Sequence, residues 1–434
     1  MKLPSRKSPW HQLALAAILV ACGASVHAKG GHDPALPGEL LLKLRTSTAL
    51  APLLAKYNLS ETDRFGTRPI YRLKVLGTDK LNDLIKAMAL EPDVLIVEPN
   101  NQNESPEARK NSPWAFGTEV EYVDQWAPAA IRLPEAHTLS TGVGTRVAVL
   151  DTGIDRSHPA FAGKLLPGFD FVDFDSDPSE GPSGRPGYGH GTHVAGLVAL
   201  AAPSTMIMPV RVLDPDGVGN AWVLSEALLY AADPDGNPAT DDGAHVVNMS
   251  LGSLSETRLF EAVSQLLTCN IPAKLKPGVD FTDPGYDGDK QRCAISRGAV
   301  MVVASGNNGS DRLREYPAAE SAYGQLSIGA STAAHRRATF SNFGSWVDLA
   351  APGEAITSTF AGGTYATWSG TSMAAPLASG TAALLRSRFP TMPTKDLARR
   401  IDRTTVNLCG GTDLRELDAM AALTNKPAKD RSCL

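Results

Sequence analysis

From about residue 126 onward, short apolar runs alternate with longer stretches of helical spacing, and this alternation constrains the fold more than any other feature. Residues 146–150, 206–213, 245–249, 300–304 and 325–330 are expected strands. Residues 193–201, 222–232, 259–267, the run after Ser372 and residues 395–403 are expected helices. A strand apolar at nearly every position has no polar face to offer water, so both faces must be covered. Short apolar strands separated by helices mean a parallel sheet between two helical layers. The expected class is therefore α/β, a three-layer αβα architecture with a mostly parallel central sheet. No internal repeat is visible. In such sheets, sites gather beyond the carboxyl ends of the strands.

The first 125 residues read differently. Residues 1–28 have the pattern of an export signal: Lys2, Arg6 and Lys7, then an apolar run too short to span a bilayer. Val26-His27-Ala28 fits ordinary cleavage, while Leu19-Val20-Ala21-Cys22 resembles a lipobox that would end the signal at residue 21 and lipidate Cys22. Residues 29–100 hold a small α+β module. It has strands near 39–44, 70–75 and 94–97, and Leu81, Leu84, Ile85 and Met88 mark an amphipathic helix. An antiparallel sheet with two helices on one face, a ferredoxin-like arrangement, is expected. Residues 101–125 are nearly devoid of apolar side chains at their start and are expected to form a linker open to cleavage.

Charge is mixed and slightly acidic, with 41 Lys and Arg against 46 Asp and Glu and no long basic run, so nucleic acid is not an expected partner. Besides Cys22 there are four cysteines: Cys269, Cys293, Cys409 and Cys433. They allow three connectivities, of which two local bridges are the simplest, and an oxidising compartment agrees with export. None sits beside a candidate base, and no spacing suggests a metal site.

Three stretches end strands or open helices where a site is expected. Val147 to Asp155 closes a buried strand on Asp151. Gly189-His190-Gly191-Thr192-His193 opens a helix with a histidine between glycines. Gly370-Thr371-Ser372-Met373-Ala374-Ala375-Pro376 places a serine at the mouth of a buried helix. A fourth, Ala304-Ser305-Gly306-Asn307, ends a strand with an amide. Each has an ordinary structural role available: a turn-capping Asp, a helix-start His, an N-cap Ser, a turn Asn. His193, one turn inward, is expected to be structural.

Together, in the order Asp, His, Ser, these stretches resemble the subtilisin-like serine peptidase family over roughly residues 126–423, within an expected catalytic domain of 126–434. The resemblance implies a catalytic domain in which Ser372 is the nucleophile, His190 its base and Asp151 the group that orients and stabilises the imidazole. Asn307 and the Ser372 amide would hold the oxyanion. Ser250-Leu251-Gly252 would pair with the substrate backbone, and Ala304, Ser305 and Gly306 would line the cleft. No cofactor is required for such chemistry. The 29–100 module would be an inhibitory propeptide, and peptides or proteins the substrates of a secreted or periplasmic monomer. A non-catalytic binding protein keeping the fold is the alternative.

Three departures from the family pattern stand out. Leu377-Ala378 replaces His-Val after Pro376, Ala160 stands where a calcium-ligand Asp often follows Ser-His-Pro, and the loop after the His helix is short. Asp170, Asp173, Asp175 and Asp177 resemble a calcium loop of some relatives, although such a run is more often a solvated turn. Glu315 precedes Tyr316-Pro317, the position at the base of the pocket for the residue before the scissile bond. A carboxylate there favours Lys or Arg, which makes Arg109-Lys110 a candidate self-cleavage point.

Overall fold

The computed structural model describes residues 34–269, 286–320, 322–426 and 433. The expected signal segment and Cys22 lie outside them. Among the described residues no helix is long and apolar enough to cross a membrane.

The N-terminal module runs β1 (Ala35–Leu44), α1 (Leu50–Lys56), β2 (Leu59–Arg64), β3 (Ile70–Val75), α2 (Leu81–Met88) and β4 (Val94–Glu104). The strands lie in the order β2-β3-β1-β4, all antiparallel. This is the ferredoxin-like arrangement. Period-two alternation along β1 serves two interfaces at once. Leu40, Leu42 and Leu44 pack with Leu50, Leu53, Leu84 and Met88 of the module's own helices. Leu41 faces the other way, into a core shared with Trp222 and Leu228 of the main body.

The expected linker is not free chain. Its first residues extend β4 through Glu104, and Pro106–Lys110 forms a short helix, α3, whose N-cap Ser105 accepts from the Ala108 amide. Asn101, Asn103 and Ser105 alternate into the body and are buried; Gln102 and Glu104 between them are less so. The period is that of a strand, but it is carried by polar side chains, which an apolar template does not register.

Among the described residues, the main body is built around a nine-stranded sheet. Its central strands, in spatial order, are Leu349–Pro352, Gln325–Ser331, Val300–Ala304, Val246–Met249, Arg146–Asp151 and Met206–Arg211, all parallel. Along Arg146–Asp151, Val147 and Val149 enter a core with helices His190–Ala201 and Thr371–Arg388. Ala148 and Leu150 enter the opposite core with helices Ala221–Ala232 and Arg258–Leu267. One strand therefore seals two layers, as an unbroken apolar run requires. Disulfides join Cys269 to Cys293 and Cys409 to Cys433, each spanning 24 residues.

The module docks on the body through helix N-termini. Glu98 accepts from the amides of Arg258 (2.9 Å) and Leu259 (3.0 Å), and Asn100 Oδ1 accepts from the Trp222 amide (3.1 Å). These are donors that a helix start leaves without an internal partner. Phe65 lies against Trp222 with ring centroids 4.1 Å apart.

Candidate active site

Strand Arg146–Asp151 ends on Asp151, which is buried beside the start of helix His190–Ala201. Asp151 Oδ1 lies 2.7 Å from His190 Nδ1 and also accepts from the Thr152 amide. Gly191 is required at that approach: a Cβ on it would stand 2.1 Å from the Gly153 carbonyl oxygen. Glu180 holds the helix start, accepting from the Thr192 amide and hydroxyl at 2.9 and 2.7 Å. It carries no motif of its own in the sequence.

Helix Thr371–Arg388 starts one residue before Ser372, with Gly370 as N-cap. Pro376 within it has no N–H to offer the Ser372 carbonyl four residues back. Ser250 Oγ donates to that carbonyl instead (3.0 Å), and Ser372 Oγ lies 3.3 Å from the Ser250 carbonyl oxygen. A missing helix hydrogen bond thus ties the serine to the end of strand Val246–Met249.

Asn307 is aimed by the same helix start. Its Oδ1 accepts from the Thr371 amide and hydroxyl, both at 2.9 Å, and Thr371 Oγ1 accepts from the Gly306 amide. The acceptor end is saturated, so Nδ2 faces the site.

A residue outside the four expected positions joins them. Glu107, on α3, is buried, and its carboxylate sits at the centre of the group. Oε1 accepts from Asn307 Nδ2 at 2.7 Å. Oε2 accepts from Ser372 Oγ at 2.5 Å and lies 3.0 Å from His190 Nε2. Asp151, His190, Ser372 and Asn307 are therefore brought together, with serine and imidazole meeting at one oxygen of Glu107. Gly370 makes the room: a Cβ there would lie 1.7 Å from Glu107 Oε1.

Burial works against charge here, and neighbours overcome it. For His190, desolvation pushes the pKa down, but Asp151 and then Glu107 raise it to about 10. For Glu107, desolvation pushes up, but His190, Ser372 and Asn307 hold it below the usual carboxylate range. The imidazolium and carboxylate sustain each other. His193 is the contrast: burial, with the charge on His190, lowers it to about 3, and its Nε2 contacts the Ala366 carbonyl oxygen.

Glu315 is buried between two glycines. A Cβ on Gly306 would lie 2.4 Å from its Oε1 and one on Gly252 2.8 Å from its Oε2. Asn308 Nδ2 donates to it, and Arg109 Nη1 stands 3.2 Å away. Arg109 Nη2 donates to the Gly252 carbonyl oxygen. Leu251, Ala304 and Ser305 are buried. Glu104 and Gly252 exchange two backbone hydrogen bonds, each 2.9 Å, in antiparallel pairing.

Two aspartates of the run are already paired: Arg211 Nη1 lies 2.5 Å from Asp170 and 2.6 Å from Asp173.

The Subtilase family pattern matches residues 142–425, well over half of the chain. The chain belongs to the subtilase family. Thermitase of Thermoactinomyces vulgaris is 35% identical over 61% of this chain and 82% of its own length. The thermophilic serine proteinase of Bacillus sp. strain AK1 is 34% identical over 73% and 69%. An extracellular protease of Xanthomonas campestris is 30% identical over 91% of this chain and 71% of its own. Fervidolysin of Fervidobacterium pennivorans shares the fold over 92% of this chain and 62% of its own, with a TM-score of 0.68 at 23% identity. As a subtilase, the protein is a serine endopeptidase, and the family requires no cofactor for catalysis.

Proposed function

We propose that the chain is an exported endopeptidase made as a latent zymogen, with Ser372, His190 and Asp151 as its catalytic triad. The supporting observation is that Asn307, Ser372 and His190 all converge on one carboxylate, the Glu107 group, in the way they would converge on a reacting acyl group. In the reaction, Ser372 Oγ attacks the peptide carbonyl carbon while its proton passes to His190 Nε2. Asp151 stabilises the imidazolium through Nδ1. The carbonyl oxygen gains negative charge and is held by Asn307 Nδ2 and the Ser372 amide. Collapse expels the amine, which takes the proton from His190. Water, deprotonated by His190, then frees the acyl group from Ser372.

The N-terminal module acts as inhibitor. β4 takes the place of substrate against Gly252, and Glu107 takes the place of the reacting carbonyl. α3 is helical, so it presents no extended peptide bond to Ser372; activation unwinds it and cuts nearby, with Arg109-Lys110 the preferred point. The Arg109–Glu315 contact supports a preference for Lys or Arg before the scissile bond. Export is supported by the signal-like residues 1–28, with lipidation at Cys22 the alternative to free release. Two measurements on expressed protein test this reading. The mass of the mature N-terminus is expected to show loss of residues 1–105 at least, and Ser372→Ala is expected to abolish both that cut and peptide hydrolysis. A mature enzyme that keeps its N-terminal module, or a Ser372→Ala chain that still hydrolyses peptides, contradicts it.

A further inference from the structure

Residues 115–125 bind the body by contacts of their own. Ala115–Gly117 forms an edge strand antiparallel to Thr364–Trp368, with Phe116 opposite Ala366 and Gly117 opposite Tyr365. The approach is close: a Cβ on Gly117 would lie 2.8 Å from Thr357 Cγ2, on the far strand of that three-stranded sheet. Thr118 then caps a short helix, Glu119–Asp124, by a reciprocal pair of hydrogen bonds with Glu121. From that helix the buried Tyr122 hydroxyl donates to the Gly196 carbonyl oxygen (2.8 Å), inside helix His190–Ala201. Gln125 donates to the Thr357 carbonyl (2.7 Å) and accepts from the Thr357 amide (3.2 Å). All these partners lie outside the N-terminal module, so a cut at Arg109-Lys110 leaves them in place.

The strand this segment pairs with ends on Trp368, four residues before Ser372 and almost fully buried. The Trp368 indole packs T-shaped against His190, with ring centroids 5.5 Å apart and planes at 84°, and against His193 at 6.0 Å and 90°. Such pairs are a favoured aromatic geometry. The indole is held in turn by the segment. Its Nε1–H donates to the Ser112 carbonyl oxygen (3.2 Å), and the Trp114 ring lies 6.4 Å from it and 4.4 Å from Phe360. In the latent chain His190 has a carboxylate at each ring nitrogen, Asp151 at Nδ1 and Glu107 at Nε2. Once Glu107 has left, one of those hydrogen bonds remains, and one bond fixes a point rather than a plane. The tilt of the imidazole then depends on the ring packed against it.

We propose that Trp368 is a positioning residue for His190, and that Ser112–Gly117 stays on the processed enzyme as the strap that holds it there. The inference rests on the triad reading and on a cut near Arg109-Lys110. Departure of α3 removes the bond from the Ser112 amide to the Glu107 carbonyl (2.8 Å). The strand pairing, the Trp114 stack and the Tyr122 anchor keep the segment seated without it. A misplacement of about 1 Å in a catalytic group can cost about 10²-fold in rate, so a loosened imidazole has a measurable signature.

The test takes the self-processed enzyme and reads two things: the mass of its N-terminus, and the rate at which a small fluorophosphonate labels Ser372. The probe depends on His190 but carries no residue downstream of a scissile bond, so a side chain that merely shaped the site for substrate would leave its rate alone. The N-terminus is expected upstream of Ser112. Trp368→Leu should slow labelling about tenfold or more, and should lower kcat on peptides with KM little changed. Trp368→Phe, which keeps a ring but loses the N–H, should recover part of the rate. Trp114 is 38% exposed, so Trp114→Ala spares the core; it should slow labelling in the same direction by a smaller factor. Where Trp368→Leu fails to mature, Trp368→Phe and Trp114→Ala carry the test. A mature N-terminus downstream of Trp114, or a labelling rate unchanged in Trp114→Ala, overturns the strap. A rate unchanged in the Trp368 variants overturns the positioning role. An unsubstituted enzyme that hydrolyses peptides with no label at Ser372 overturns the triad reading instead.

Discussion

Glu107 makes the same contacts that catalysis would need, which gives it the character of a plug. Three partners hold it: an amide, a hydroxyl and an imidazolium. Removing it should therefore free the centre before the module has left. Glu107→Ala is expected to shorten the lifetime of the uncut chain at least several-fold, read as precursor remaining on a gel after synthesis. An unchanged lifetime would mean that the strand pairing of β4 alone keeps the enzyme latent. Asn307 has a different signature. Its Nδ2 donates to the Glu107 carboxylate, which on the proposed reading marks the position where charge develops. Asn307→Ala in the processed enzyme should lower kcat by about 10²–10³ with KM little changed. A change confined to KM would remove Asn307 from the oxyanion site.

The elements that build the centre are coupled by hydrogen bonds that ordinary helices do not have. Pro376 leaves the Ser372 carbonyl without its helical partner, and Ser250 supplies one. Ser250→Ala leaves that buried carbonyl unmet and should destabilise the processed enzyme by about 1–3 kcal/mol, read by denaturant unfolding. The docking of β4 carries a pH dependence of its own. Burial first, against two helix-start amides, raises the Glu98 carboxyl from 4.5 to about 7 in the docked chain. The docked form then binds more protons than the undocked one between those values. Its contribution is complete below about 4.5 and is lost as pH rises through about 7. In the uncut Ser372→Ala background, module stability should fall over that window. Glu98→Gln, which cannot ionise, should flatten the fall; thermal unfolding at several pH values reads both. Equal slopes in the two chains would show that Glu98 does not titrate there.

Over the whole molecule, the legible parts of the sequence were those where burial is apolar. The strand Arg146–Asp151 announces two covered faces because Val147, Ala148, Val149 and Leu150 are all apolar, and the structure divides them between two cores. The module's helices were legible for the same reason. Residues 101–110 were not, since their backbone pairs with Val218–Asn220 and Gly252, and Glu107 meets His190, Asn307 and Ser372, all distant in the chain. Their alternation was present, but a polar period-two pattern looks like solvated chain until the cleft it fills is known. Glu180 and Thr371 were missed for a related reason: each acts by orienting another side chain, and neither belongs to a spacing that names its partner. On the proposed reading, what unites the molecule is a hydrolytic centre at Ser372 that its own N-terminal segment covers. A fluorophosphonate probe, followed by peptide mapping of the adduct, tests that most directly. The account predicts a single adduct on Ser372 in the processed enzyme, little in the uncut chain, and none in Ser372→Ala. An adduct on another residue, or a processed enzyme that hydrolyses peptides and takes no label at Ser372, would contradict it.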